Sequence, residues 1–360
     1  MRIVKNILIM LMGITPFLGF GQEIPFYSNY TINPLIYNPA HAGANEGLEM
    51  FLHHRTQWTG YKGSPVSQLF TMSAPLTNIN SGIGLSFQNN QRGLFNVLTG
   101  SVKYAYHLKL NQKSNLSFGL GLDIQNSVLR IGESTVKDVD DPLVNKGSIS
   151  ETFFDASFGV EYSLADKLKI GLSAPQLIEG GGNTENAMAK NSRYFIGQIS
   201  YLQKITKNIK FQPVVLARYS QNIPVQYDVN GLIHYKDMFL IGAGYRNNYA
   251  ISLHAGINLN NFKIKYAYDF ATINSNLNVG LSHEITLGYT LRFNKKETVT
   301  ILQEATLPSN APLSSDKIRE ILMLLIDEFF ETSNKTPDEL KKLEILRETI
   351  FKLLEDLESK

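Results

Sequence analysis

The sequence predicts an all-β protein: a transmembrane antiparallel β-barrel of about 14 strands, followed by a C-terminal two-helix periplasmic tail. Three observations predict it. From about Leu48 to Phe293 apolar and polar residues alternate with a period of two, which is how a strand with one apolar and one polar face reads. The alternating segments number about fourteen, an even count, and most come near the 9–11 residues that a tilted membrane strand needs. The connections also sort by length, short and polar on one side and long on the other. Bilayer barrels sort their loops this way, whereas a soluble sandwich has no reason to.

The chain opens Met1-Arg2-Ile3-Val4-Lys5, runs apolar from Ile7 to Phe20 and reaches small residues at Gly19 and Gly21. A basic start, a short apolar run and small residues describe a secretory signal peptide over 1–21, with cleavage after Gly21. The apolar run, about fourteen residues, falls short of the roughly 20 that a spanning helix needs. There is no cysteine, which excludes an acylated lipoprotein signal, disulfides and thiolate chemistry. No later stretch approaches the ~18 uninterrupted apolar residues of a spanning helix. A formal net charge of +2 is too balanced to point to nucleic acid as a partner. The 17 tyrosines, 20 phenylalanines and 27 glycines suit strands with aromatic ends and tight turns. Composition alone leaves a soluble secreted protein open.

Within the barrel region, Leu116, Phe118, Leu120, Leu122 and Ile124 alternate with Ser117, Gly119, Gly121, Asp123 and Gln125. Phe262, Ile264, Tyr266, Tyr268 and Phe270 alternate with Lys263, Lys265, Ala267 and Asp269. The strands are expected at 48–58, 66–75, 81–90, 97–108, 116–130, 151–162, 168–174, 193–203, 209–221, 225–235, 238–247, 249–259, 262–272 and 280–293. With a periplasmic N-terminus, the short turns at 76–80, 109–115, 163–167, 204–208, 236–237 and 260–261 all fall on the periplasmic side. The long connections 131–150 and 175–192 both fall outside. Pro213 cannot donate to a ladder, so a bulge or a misplaced strand is expected there. The last strand ends in Leu287, Tyr289, Leu291 and Phe293, an alternation closed by an aromatic that suits barrel assembly.

The inward faces carry charges of both signs: Asp123, Asp155, Glu161, Lys210, Arg218, Asp228, Lys263, Lys265, Asp269, Glu284 and Arg292. Mixed signs imply a hydrated or plugged lumen and no single-sign selectivity ring. Fourteen strands enclose more space than their own side chains fill, so water, a folded segment or a partner must occupy it. The stretch 22–47, with its two Asn-Pro steps, reads as an ordered, plug-like segment at the periplasmic mouth. Trp58 is expected to close the first strand as an interfacial aromatic, with Arg55 and Gln57 polar and inward.

No catalytic grouping emerges. His53 and His54 are adjacent in one strand, so they face opposite ways and cannot share a metal. His107, His234, His254 and His283 lie in separate strands without the serine and third polar group of a barrel lipase. Gly180-Gly181-Gly182 precedes no helix and is no phosphate cradle. Asp138, Asp140 and Asp141 lack the spacing of a calcium loop. Neither a metal nor any other cofactor is expected, and the chain does not read as an enzyme.

After Phe293 the composition breaks. Residues 294–313, with Pro308 and Pro312, read as a linker, and 314–360 as two helices. The second opens Thr336-Pro337-Asp338-Glu339, a capping box with proline at the first helical position. It carries Leu343, Leu346, Ile350, Leu353 and Leu357 at three-four spacing, a coiled-coil-like seam. The two helices either pack on each other as a hairpin or dock on another protein; the even strand count puts them in the periplasm.

The stretch least like generic barrel sequence is residues 24–75. It holds Phe26, Tyr30, Asn33-Pro34-Leu35, Asn38-Pro39-Ala40, Ala42-Gly43, and then Arg55, Gln57, Trp58, Gly60, Gly63 and Pro65. This pattern resembles the PorP/SprF family of outer-membrane proteins of the type IX secretion system. The resemblance implies a non-enzymatic barrel in outer-membrane lipid that helps particular secreted proteins, often large surface adhesins of gliding bacteria, to leave the cell or stay attached. It makes Asn33, Pro34, Asn38, Pro39, Gly43, Arg55, Gln57, Trp58, Gly60 and Pro65 candidates for partner binding. The implied partners are the C-terminal domain of a secreted cargo or adhesin and, through the tail seam, periplasmic secretion or gliding machinery. The alternative is a channel or porin for small solutes, which an open lumen would distinguish. A barrel enzyme ranks third.

Overall fold

The computed structural model describes residues 26–60, 62–130, 148–178, 193–221, 223–272 and 280–292. Residues 1–25, 131–147, 179–192 and 293–360, which include the expected signal peptide, linker and two-helix tail, lie outside the described residues.

Fourteen strands form one closed ring. They are β1 (Leu48–Thr56), β2 (Val66–Leu76), β3 (Ser81–Arg92), β4 (Phe95–Lys109), β5 (Ser114–Leu129), β6 (Ile149–Leu164) and β7 (Leu168–Gln176). They continue as β8 (Tyr194–Tyr201, resumed after Leu202 at Gln203–Lys204), β9 (Ile209–Ser220), β10 (Ile223–Tyr235), β11 (Phe239–Arg246), β12 (Ala250–Leu259), β13 (Phe262–Ala271) and β14 (Ser282–Leu291). Every pairing is antiparallel and joins sequence neighbours, and β1 closes on β14 from Leu48↔Leu291 to Thr56↔His283. Closure leaves no unpaired edge, as a backbone in hydrocarbon requires. All fourteen strands fall where the alternation puts them, within a few residues.

Alternation decides which way each side chain faces. Leu120, Leu122, Phe154 and Leu172 point outward, between 61% and 73% exposed. A belt of such residues around a ring would be an aggregating surface in water; in lipid it is the solvated face. At one end every connection is short, two to four residues, whereas all the long connections lie at the other. Ala165–Asp166 and Lys236–Asp237 take consecutive left-handed backbones, with φ between 50 and 57, which match the twist of tight hairpins. In outer-membrane barrels the short-turn end faces the periplasm, and both the entry to β1 and the exit of β14 lie there.

Three local expectations are corrected. Pro213 sits in register opposite Gly231 with no bulge at that position. The missing donor is accommodated on the other side, where the β8 ladder lapses at Leu202, and the register shift of β9 falls later, between Arg218 and Ser220. Strand β1 ends at Thr56, short of Trp58, whose left-handed backbone (φ 53) cannot continue a ladder. Residues 26–43 do not stop at the periplasmic mouth. They run through the lumen, from the level of Arg55 near the outer end of β1 to Gly43 beside Pro75 and Gly82 at the short-turn end.

Candidate functional site: the lumenal segment and its lock

Two Asn-Pro steps shape the lumenal segment. It folds into three short 3-10 turns, Ser28–Ile32, Pro34–Ile36 and Pro39–His41. Proline presets φ at the first position of the second and third turns. The preceding asparagines act differently. Asn38 caps its turn, its Oδ1 accepting from the Ala40 N–H at 2.9 Å. Asn33 makes no cap and spends its amide on the wall, where Nδ2 donates to Thr71 Oγ1 (2.8 Å) and His53 Nε2 (3.0 Å). Because His53 Nε2 accepts, Nδ1 carries the proton and donates to Thr286 Oγ1 at 2.8 Å, a tautomer assigned from its partners.

The segment brings its own core. Phe26, Tyr30 and Tyr37 pack with Tyr194, Ile196, Val214 and Leu216 from β8 and β9. The inward face of this wall is therefore apolar where the segment covers it. Burial of each large side chain contributes about 1.5–3 kcal/mol. Leu35 and Ala42 pack on Ala105 of β4. Lys103 Nζ donates to the Leu35 carbonyl (2.8 Å) and His107 Nε2 to the Ala42 carbonyl (2.9 Å).

At its outer half the segment is held by ions. Arg55, fully buried, reaches Asp269 at 2.7 Å and Glu284 at 3.1 Å. Arg246 pairs with Asp228 at 2.7 Å, and its guanidinium stacks 4.0 Å from the Phe26 ring, a geometry that favours a cation. The backbone closes the lock: the N–H groups of Ser28 and Asn29 donate to the two Glu284 oxygens at 2.6 and 2.9 Å. Ser28 Oγ donates to Asp269 at 2.9 Å and accepts from Arg55 at 3.1 Å. Lys265 donates to Thr31 Oγ1 at 2.5 Å. Three cations (Arg55, Arg246, Lys265) face three carboxylates (Asp228, Asp269, Glu284), so the buried cluster is neutral as a whole, the condition under which buried charge is tolerated.

At its inner half the segment is held by shape. Gly43 (φ +63) lies so close to Gly82 that a Cβ on either would come within 2.5 Å of the other's Cα. A Cβ on Gly119 would stand 2.1 Å from the Ala40 nitrogen, and one on Gly159 2.0 Å from Asn38 Oδ1. Glycine inside a strand marks such a close backbone approach.

The signature residues therefore divide. Asn33, Pro34, Asn38, Pro39, Gly43 and Arg55 form the interface between segment and wall. Gln57 extends it, its Nε2 donating to Tyr249 OH at 2.5 Å. Trp58, Gly60 and Pro65 belong to the outer-end loop, where Trp58 N–H donates to Ser282 Oγ (3.3 Å), Pro65 O accepts from Gln57 N–H (2.9 Å) and Gly60 packs on Gly280. The tail residues Leu343, Leu346, Ile350, Leu353 and Leu357 lie outside the described residues. Sequence reading missed Ser28, Asn29, Arg246 and Tyr249 as parts of the lock. Its available signal was the inward charge of β1, β10, β11, β13 and β14 and the inward glycines of β3, β5 and β6. No group of three or more metal-ligating side chains occurs among the described residues.

Solved structures with a similar fold include Omp33 of Acinetobacter baumannii, 8% identical with a TM-score of 0.42 over 69% of this chain and 100% of that one. Others are the monoaromatic hydrocarbon channel CymD (12%, 0.47, 76% and 96%) and the P. putida toluene transporter TodX (11%, 0.44, 73% and 95%). At that distance they carry no argument about what this chain does. Comparison with curated proteins finds no match. The family model for the type IX secretion system membrane protein PorP/SprF, by contrast, matches residues 19–289, and this outer-membrane barrel belongs to that family.

Proposed function

We propose that this barrel is a non-enzymatic accessory of type IX secretion that assists export or surface anchoring of specific cargo, such as the large adhesins used in gliding. In this reading the outer end receives the C-terminal domain of the cargo, and the tail seam contacts periplasmic secretion or gliding machinery. The observation that carries it is the lumen. Residues 26–43 fill it with an aromatic core, an ion lock and backbone-to-glycine contacts, an arrangement suited to a rigid platform and poorly suited to free passage of solute.

Truncation after Phe293 tests the reading. The expected result is a folded, heat-modifiable barrel that no longer supports cargo display on whole cells. Normal display by the truncated protein would remove the tail from the proposal. A stable large conductance of the intact protein in planar bilayers would favour a small-solute channel instead.

A further inference from the structure

The short-turn rim carries an excess of lysines; the acidic neighbour of Lys169 is Glu161, which is itself paired with His41 at 3.1 Å. Lys109 ends β4, Lys169 lies in β7, and Lys204 lies in the resumed end of β8. None of these three ammonium groups has a hydrogen bond or ion pair among the described residues. Lys204 stands directly opposite Lys210 in the ladder, and like charges placed so destabilise a sheet. Lys210 is satisfied by Asp237 at 2.7 Å; Lys204 is left over.

Strand parity fixes where these charges face. Lys109 continues the inward series Lys103, Ala105, His107, while Lys204 continues Ile196, Gln198, Ser200, and Lys169 precedes Gly171 and Ser173 on the lumenal face. All three therefore border the aqueous mouth, with the wall between them and the lipid. Beside them a cavity of about 180 Å³ opens between the lumenal segment and the β7–β9 wall. Tyr37 and Asn38 line it on one side, Gln198, Ser200 and Gln212 on the other, and Lys167 and Lys169 stand at its rim end with Asp166 and Glu161. The amide of Gln198 has no partner among the described residues. At roughly 30 Å³ per water, the cavity has room for about six waters or a side chain or two.

We infer that this mouth is a docking site for an acidic polypeptide segment of a periplasmic partner. Lys109, Lys169 and Lys204 pair with its carboxylates, and the cavity takes one of its residues against Gln198. Lipid headgroups suit the site less well, because they lie outside the wall. The inference uses no residue of the tail and none of the cargo reading, so it can stand or fall without the function proposed above.

The test uses the full chain in nanodiscs of zwitterionic lipid and a fluorescein-labelled decaglutamate peptide, read by fluorescence anisotropy. The combined variant Lys109→Glu, Lys169→Glu, Lys204→Glu should weaken binding about tenfold, the sum of three partly exposed ion pairs. Decaglutamine should not bind. The matched variant Lys113→Glu, Lys207→Glu, Lys236→Glu alters turn lysines of the same rim and should bind within twofold of the original. Heat-modifiable mobility reports that each variant is folded. Equal losses in the two variants, equal binding of decaglutamine, or displacement of the peptide by phosphatidylglycerol vesicles would each overturn the inference.

Discussion

Replacing Arg55 by glutamine probes the lock most directly. The native guanidinium serves Asp269, Glu284 and Ser28 at 2.7, 3.1 and 3.1 Å with no solvent exposure. Glutamine is shorter and neutral. It leaves two buried carboxylates with only Arg246 and Lys265 as cations, and Arg246 is already engaged with Asp228. Removing one partner of a buried ion pair costs about 3–5 kcal/mol, which is roughly two to nearly four decades in the equilibrium between seated and displaced segment. The strands retain their ladders, so the loss should appear first in residues 26–33. Limited proteolysis in detergent should cut this stretch in the variant and spare it in the parent, while both keep heat-modifiable mobility. Adding Glu284→Gln should restore part of the protection, because the stranded charge is then gone. An Arg55→Gln protein with unchanged protease resistance and an unchanged urea midpoint would refute the claim that the ions hold the segment.

Other predictions address shape, lumen and membrane. Gly119→Ala places a Cβ 2.1 Å from the Ala40 nitrogen; the overpacking should cost about 1–3 kcal/mol and lower the urea midpoint, whereas Gly93→Ala, with open space around it, should cost less. Deleting residues 26–43 should convert a barrel without stable large conductance in planar bilayers into a conducting one. Leu122→Arg, on the outer face at 73% exposure, should cost up to about 2–4 kcal/mol if it lies near the bilayer centre, measured by unfolding from lipid vesicles. A cysteine at Ser148, at the end opposite the short turns, should react with an impermeant thiol reagent on whole cells, and one at Ser359 should not; the reverse pattern would invert the topology.

Strand number, strand placement and facing were legible in the sequence because a membrane strand obeys one local rule. Lipid on one side and lumen on the other impose a period of two on every crossing, so each of β1 to β14 announces itself without reference to its neighbours. The family pattern in Phe26–Pro65 was legible for a similar reason, since proline, glycine and asparagine act on their own backbone. The occupant of the lumen was not. Ser28 and Asn29 look like any polar loop pair until the chain closes, and their partner Glu284 lies 256 and 255 residues away. Arg55 reads as an inward charge from sequence. Only ring closure, which sets β1 beside β14, brings it between Asp269 and Glu284. Gly82, Gly119 and Gly159 likewise read as weak points in strands until the segment is seated against them. The sequence by itself determined the barrel, through periodicity that each strand carries alone. What fills the barrel was decided by tertiary structure, because ion pairs and close backbone approaches join residues that no local pattern relates.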